Sequence, residues 1–359
     1  MKALLTPTTA RLQNHTSAQP WIRSAWFDGW FVLGPPFLSL LVVMLLPAQF
    51  RATTQMPLLA WFGLVVLIDV AHVYSTLFRT YFDPVRRQRQ RVLFWAVPLG
   101  CYLAGVALHY AGGWLFWRVL AYLAVFHFIR QQYGFLRLYS RHEPSYRQRW
   151  LDTAIIYYAT IYPLLYWHFS PPRNFNWFVE GDFVQHNWPL GRHLATLLYV
   201  LLLLLYLGKE AQTWQRQRTF NAPRNLLVVG TLVSWYFGIV YYNGDLAFTL
   251  LNVVSHGIPY LALIWTTSQP GADRKAGPRP WWTGRYGIIL FVGLLGLLAY
   301  AEEGLWDGLV WREHASVFGW FQQLPAVKNH LWLSLLVPLL ALPQAAHYVL
   351  DGFIWRRNS

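Results

Sequence analysis

The sequence predicts an all-α, polytopic membrane protein, a bundle of about ten transmembrane helices with both termini in the cytoplasm. Three observations carry that prediction. Of 359 residues, 55% are hydrophobic and only 12% charged, a balance suited to lipid rather than to a water-soluble domain. Apolar runs close to the ~20 residues needed to cross a bilayer recur along the whole chain. Basic residues gather in alternate connections between those runs, which is how orientation is written into a membrane chain.

The spans fall at 27–47, 57–78, 92–110, 114–136, 151–170, 191–208, 225–243, 246–266, 286–301 and 331–355. The first contains Gly34-Pro35-Pro36, which predicts a kink or break. Residues 1–26 are polar and irregular, with no early apolar core of a signal peptide, and read as a cytoplasmic tail. The remainder, 27–359, reads as one transmembrane domain. Residues 267–285, rich in proline and glycine, read as a flexible linker.

The connections fix the orientation. Arg79, Arg86, Arg87, Arg89 and Arg91 follow the second span; Arg137, Arg141, Arg147 and Arg149 the fourth; Lys209, Arg216, Arg218 and Arg224 the sixth. Arg274, Lys275, Arg279 and Arg285 follow the eighth, and Arg356 and Arg357 end the chain. The long connections at 171–190 and 302–330 carry Glu180, Asp182, Glu302, Glu303 and Asp307 instead, and their aromatic and proline content predicts short interfacial helices on the outside. The net charge of +14 is therefore a topology signal and does not imply a nucleic-acid partner. The placement is an integral multi-pass protein of the inner or plasma membrane. The single cysteine, Cys101, excludes an internal disulfide framework, a cysteine-rich metal site and an iron–sulfur centre held by this chain alone.

Four apolar spans nevertheless carry polar faces. Asp69 and His72 lie at i and i+3, with Thr76 a turn on; His127 is followed by Arg130 and Gln131. Asn252 and His256 lie at i and i+4, followed by Gly257 and Pro259; Gln344, His347 and Asp351 lie at i, i+3 and i+7. Each helix pairs one histidine with a polar neighbour a turn away, the spacing by which carboxylates and amides orient metal-binding imidazoles. All four spans run in the same direction, and all four histidines lie ~9–15 Å from the predicted cytoplasmic end at 1.5 Å per residue. They are the candidate metal ligands: His72, His127, His256 and His347. Asp69 and Asp351 are candidate ligands or orienters, and Arg130 and Gln131 candidate binders of a polar substrate group. The bland reading of each is an interhelical hydrogen bond worth ~1 kcal/mol or less. Asp69 would then neutralise Arg79 or Arg130, and Asp351 would pair with Arg356 at the interface. A second, outer site from His168, His186 and His193 is a weaker alternative.

Imidazoles with carboxylates suit iron, zinc or copper. In the cytoplasmic half, opening toward the cytoplasm, one or two iron ions would meet a lipid or isoprenoid substrate dissolved in the bilayer. Its C–H and C=C bonds demand a strong oxidant, and with it an electron donor. On His72, His127, His256 and His347 the chain resembles histidine-rich polytopic membrane non-haem iron oxygenases, either the fatty-acid desaturase and hydroxylase superfamily or the Brp/Blh carotene-cleaving dioxygenases. The resemblance covers these short segments only. It implies a metal-dependent oxidoreductase of lipid metabolism, with oxygenase, hydroxylase or desaturase chemistry. No two histidines are adjacent or three apart, so the HxxHH boxes of the first group are absent. Three other readings use the same residues: a zinc hydrolase, a haem-binding electron carrier, and a transporter or channel with broken helices at Pro35-Pro36 and Gly257-Ile258-Pro259.

Overall fold

The computed structural model describes residues 19–143, 149–268, 282 and 284–355, which form helices and connections with no strand. Most of the expected tail and linker, with His15, Arg147, Arg274, Lys275, Arg279, Arg356 and Arg357, lies outside the described residues. The main helices are α1 (Ala25–Leu33), α2 (Pro35–Leu45), α3 (Leu58–Arg79), α4 (Arg91–Ala111), α5 (Gly113–Tyr139), α6 (Arg149–His168), α7 (Pro189–Gln217), α8 (Ala222–Tyr241), α9 (Asp245–Ser268), α10 (Gly287–Trp311), α11 (His330–Leu340) and α12 (Leu342–Ile354). Their starts carry the expected signals. Asn221 and Asn329 cap α8 and α11 by side-chain oxygen, and proline stands in the first turn of α2, α7, α8 and α12.

Six helices, α3, α4, α7, α8, α9 and α10, are long and apolar enough to cross a membrane. The number rises to eight if each bent pair, α1–α2 at 51° and α11–α12 at 44°, is one span. This is an integral membrane protein. α5 and α6 have the length, at 27 and 20 residues, but carry more polar side chains and are not among the six. The first bend falls at Gly34-Pro35, as expected from the sequence. The second, at Ala341 before Pro343, was not expected, and it re-aims the Gln344–Asp351 face.

Burial divides the helices. Only 17% of the apolar window of α4 and 22% of that of α7 is buried, leaving outward rows such as Leu99 and Leu103, and Leu194, Leu197, Leu201 and Leu204. In α9 the figure is 67%, which makes it the central helix. α9 runs unbroken through Gly257 and Pro259, so the break expected there is absent. Gly257 is where α9 meets α3: an added Cβ would stand 2.8 Å from Ile68 Cγ2 and 3.8 Å from His72 Cβ, so only glycine permits this approach. α3 itself is π-helical over Phe62–Val70, a wide turn just before His72 of the kind that accompanies functional sites.

α10 differs most from expectation. The sequence ended the span at 301 and placed Glu302, Glu303 and Asp307 in an outside loop. The helix instead continues to Trp311, with Glu302 and Asp307 buried. The apolar count drops after Ala301, but helical hydrogen bonding does not stop there. At the opposite end from these acids, an ion network ties α6, α7 and α8. Lys209 binds Asp152 and Glu210, while Arg224 binds Glu210 and Glu143.

Candidate metal centre

The four histidines converge. Nε2 of His256 lies 3.1 Å from Nε2 of His72 and 3.3 Å from that of His127, and Nε2 of His347 lies 3.1 Å from that of His127. All four residues are buried, and one ligand atom from each falls within 4.8 Å of the others. Nitrogens bound to one ion at the usual ~2.0–2.1 Å stand roughly 3–3.4 Å from their neighbours, so the adjacent spacings fit a shared metal.

The far side of each ring explains why these nitrogens point inward. Nδ1 of His127 faces Asp351 Oδ2 at 3.4 Å, and Nδ1 of His72 faces Asp69 Oδ1 at 3.6 Å. A carboxylate accepts and does not donate, so Asp351 favours the proton on His127 Nδ1 and a bare lone pair on its Nε2, and Asp69 biases His72 the same way over a longer distance; Nδ1 of His72 and of His256 have no hydrogen-bond partner among the described residues. Nδ1 of His347 meets the hydroxyl of Thr76 at 2.7 Å. His256 is positioned differently. Its ring stacks on Phe128 at 3.6 Å between centroids, and Gln131 Nε2 donates to its carbonyl at 3.0 Å. With bare lone pairs on His72 and His127, a proton on His256 Nε2 would satisfy only one of its two neighbours. A cation at the centre would satisfy all four.

A second ring of groups holds the orienters. Asp351 Oδ1 accepts from Tyr260 O–H at 3.0 Å and from Trp355 Nε1–H at 2.5 Å, and Tyr260 is 3.2 Å from Thr76 Oγ1. Asp351 is thus buried in the site rather than spent at the interface, and Arg79 packs over the Trp355 ring at 4.3 Å. Tyr260 was missed in the sequence although it lies one turn beyond His256. Thr76 was noted only for its place on the α3 face.

Arg130 does not join. It is exposed, donates to Tyr157 O–H at 2.8 Å and lies over the Tyr133 ring. On α5 it occupies a different face from His127 and Gln131. Gln131 joins through Nε2 to the His256 carbonyl, while its Oε1 has no hydrogen-bond partner among the described residues. The weaker outer site does not assemble. His168 is engaged by the Leu164 carbonyl and Tyr122, and the only group of metal-ligating side chains among the described residues is the four-histidine one.

A cavity of about 490 Å³ reaches the cluster. Its inner end is Phe128, Asn252, Asp69 and Tyr348, and its outer end is the 171–188 connection with the last turns of α10. Phe128 stacks on His256, and Tyr348 lies 5.1 Å from the His127 ring, so the histidines sit immediately beneath this floor. The cavity thus approaches from the end that the charge pattern assigns to the outside. Tyr260, Asp351 and Trp355 lie behind the rings, away from this cavity. Compared with known proteins, the chain matches no family model, no curated protein and no solved structure.

Proposed function

We propose that this chain is a membrane metalloenzyme, an iron-dependent oxidoreductase that acts on a lipid or isoprenoid entering from the cavity. The observation that carries the reading is the convergence of four inward Nε2 atoms, with Asp351 and Thr76 at Nδ1 of His127 and His347, beneath a cavity large enough for part of a substrate. His72, His127, His256 and His347 would hold the metal. Iron in such a set supplies the oxidising capacity that hydrocarbon C–H and C=C bonds demand.

The chain's own groups do the rest. Asp351 keeps the proton of His127 on Nδ1, and Tyr260 and Trp355 keep Asp351 in place. Phe128 covers His256 and limits water at the cluster. Asp69 is part-exposed, lines the cavity and faces a histidine of the cluster, so it would hold or accept a proton there. In this reading all ten helical segments cross the inner or plasma membrane, with both termini in the cytoplasm, and α5 and α6 cross because their polar faces are covered by neighbours. An electron donor would act from the same membrane.

Zinc also accepts imidazole ligands, and a zinc hydrolase is the second reading. Haem is disfavoured by geometry, since no macrocycle fits between rings whose Nε2 atoms are already 3.1 Å apart. The transporter reading loses the break at Gly257-Ile258-Pro259, though the bent pair α11–α12 supplies one elsewhere. The deciding experiment is elemental analysis of purified protein beside His127→Ala and His347→Ala. Iron in the wild type and its loss from both variants is the expected result. Zinc in its place moves the assignment to hydrolysis, and metal content unchanged in the variants refutes the site.

A further inference from the structure

The cavity above the cluster has a chemistry of its own. Trp61, Trp117, Trp177, Trp306 and Trp311 form much of its wall. Apart from His314 its ionisable side chains are all acidic, with Asp69, Asp245 and Glu303 the inner ones, and no lysine or arginine lines it. Nearby arginines are engaged elsewhere: Arg173 donates to the carbonyls of Ile239 and Tyr242, Arg312 to those of Gln322 and Leu324, and Arg118 to that of Gly181. Among the described residues no lysine or arginine forms an ion pair with Asp69, Asp245 or Glu303.

A separate observation points to a ligand. Asn252 lines the cavity and is only 3% exposed. Its Nδ2 donates to the Phe248 carbonyl at 2.9 Å, which fixes the amide, and its Oδ1 has no hydrogen-bond partner among the described residues. A buried acceptor without a donor is costly, and a ligand N–H would relieve it.

We propose that this cavity is the head-group chamber of an amphiphilic substrate that carries an amine, bound as its ammonium. The tryptophan walls supply ring faces for the cation, the carboxylates supply charge, and Asn252 Oδ1 accepts one N–H. A carboxylate or phosphate head would face acidic groups with no lysine or arginine to receive it. Arg130, exposed and bonded to Tyr157, does not line the chamber. The inference rests on the metalloenzyme reading for its place above a reactive centre, while its charge preference is read independently of metal.

The test is calorimetric titration of purified full-length protein, in neutral detergent, with hexylammonium, hexanol and hexanoate. Metal content is measured on the same samples. The expected result is hexylammonium binding about tenfold or more tightly than hexanol, with hexanoate weaker still. In Glu303→Gln the hexylammonium affinity falls about tenfold while hexanol is unchanged. Equal binding of the three probes, or preference for hexanoate, overturns the chamber and leaves the metal site standing. If Glu303→Gln fails to fold, the wild-type ranking alone decides. An ammonium preference in protein that holds no metal supports the chamber and refutes the metalloenzyme reading.

Discussion

Replacing Asp351 with asparagine tests the tautomer on which the metal centre depends. Asp351 offers Oδ1 to Tyr260 O–H and Trp355 Nε1–H, and Oδ2 to His127 Nδ1. The two donors demand an acceptor, so in Asp351→Asn the amide oxygen stays beneath them and the NH₂ group turns toward His127. Two donors then face each other. The imidazole relieves this by moving its proton to Nε2, the atom aimed at His256 and His347. That nitrogen then has no lone pair for a metal. Loss of an orienting partner typically costs 10–100-fold in metal affinity. Here the replacement imposes the wrong tautomer and removes a negative charge, so the upper end applies, about 100-fold or ~2.7 kcal/mol. The bonds to Tyr260 and Trp355 survive, so thermal stability without metal should change little. The assay is competition between the purified protein and a chelator of known affinity, with iron(II) and zinc in turn. Binding within twofold of wild type for both metals would refute the tautomer argument, and with it the role assigned to Asp351.

Gly257→Val should separate α9 from α3, because even a Cβ there stands 2.8 Å from Ile68 Cγ2. Overpacking of this kind costs about 1–3 kcal/mol, and elemental analysis should find metal per folded chain well below wild type. Asp152→Ala removes one of the carboxylates that hold buried Lys209 and Arg224. Thermal unfolding should show a loss of about 3–5 kcal/mol while the surviving folded protein keeps its metal. Arg130→Gln should leave metal affinity within twofold of wild type in the same chelator competition, because the guanidinium is exposed and bonded to Tyr157; a tenfold loss would return Arg130 to the centre.

Which parts of this centre were legible in the sequence follows from how each residue is held. The four histidines could be found because each is a polar residue in a membrane-length apolar run with another polar residue one turn away. Asp69 sits beside His72 as that spacing requires. Asp351 is held by Tyr260 of α9 as well as by Trp355 one turn on, and it meets His127 rather than His347 of its own helix. That cross-helix pairing depends on the 44° bend before α12 and has no counterpart in sequence spacing. Glu302 and Glu303 were misplaced because carboxylates after an apolar run look like the start of a loop. Arg130 looked like a site residue because a guanidinium within a span needs a partner, but Tyr157 and the Tyr133 ring on the outer face already supply one. A polar stripe in a span therefore identifies a demand for partners, and only packing decides which helix meets it.

The centre is asymmetric, and the asymmetry constrains how it would work. On one side, Thr76, Tyr260, Asp351 and Trp355 form a continuous hydrogen-bonded brace behind His347 and His127. Moving either ring outward there breaks bonds between buried groups, which is costly. On the other side, His256 is held by ring stacking on Phe128, and His72 by a part-exposed carboxylate. Stacking and contact with a part-hydrated carboxylate yield more readily than a buried brace. The yielding side is also the cavity side, since Phe128 and Asp69 both line it. Substrate arriving through the cavity would therefore meet the two histidines whose positions are easiest to adjust, while the braced pair keeps the metal in place. A rearrangement on substrate binding is expected at His72 and His256 and not at His127 and His347. The same order should hold for single replacements: His347→Ala, which removes a ring from the braced half, should cost more metal affinity than His256→Ala. Equal losses would indicate that the brace contributes nothing.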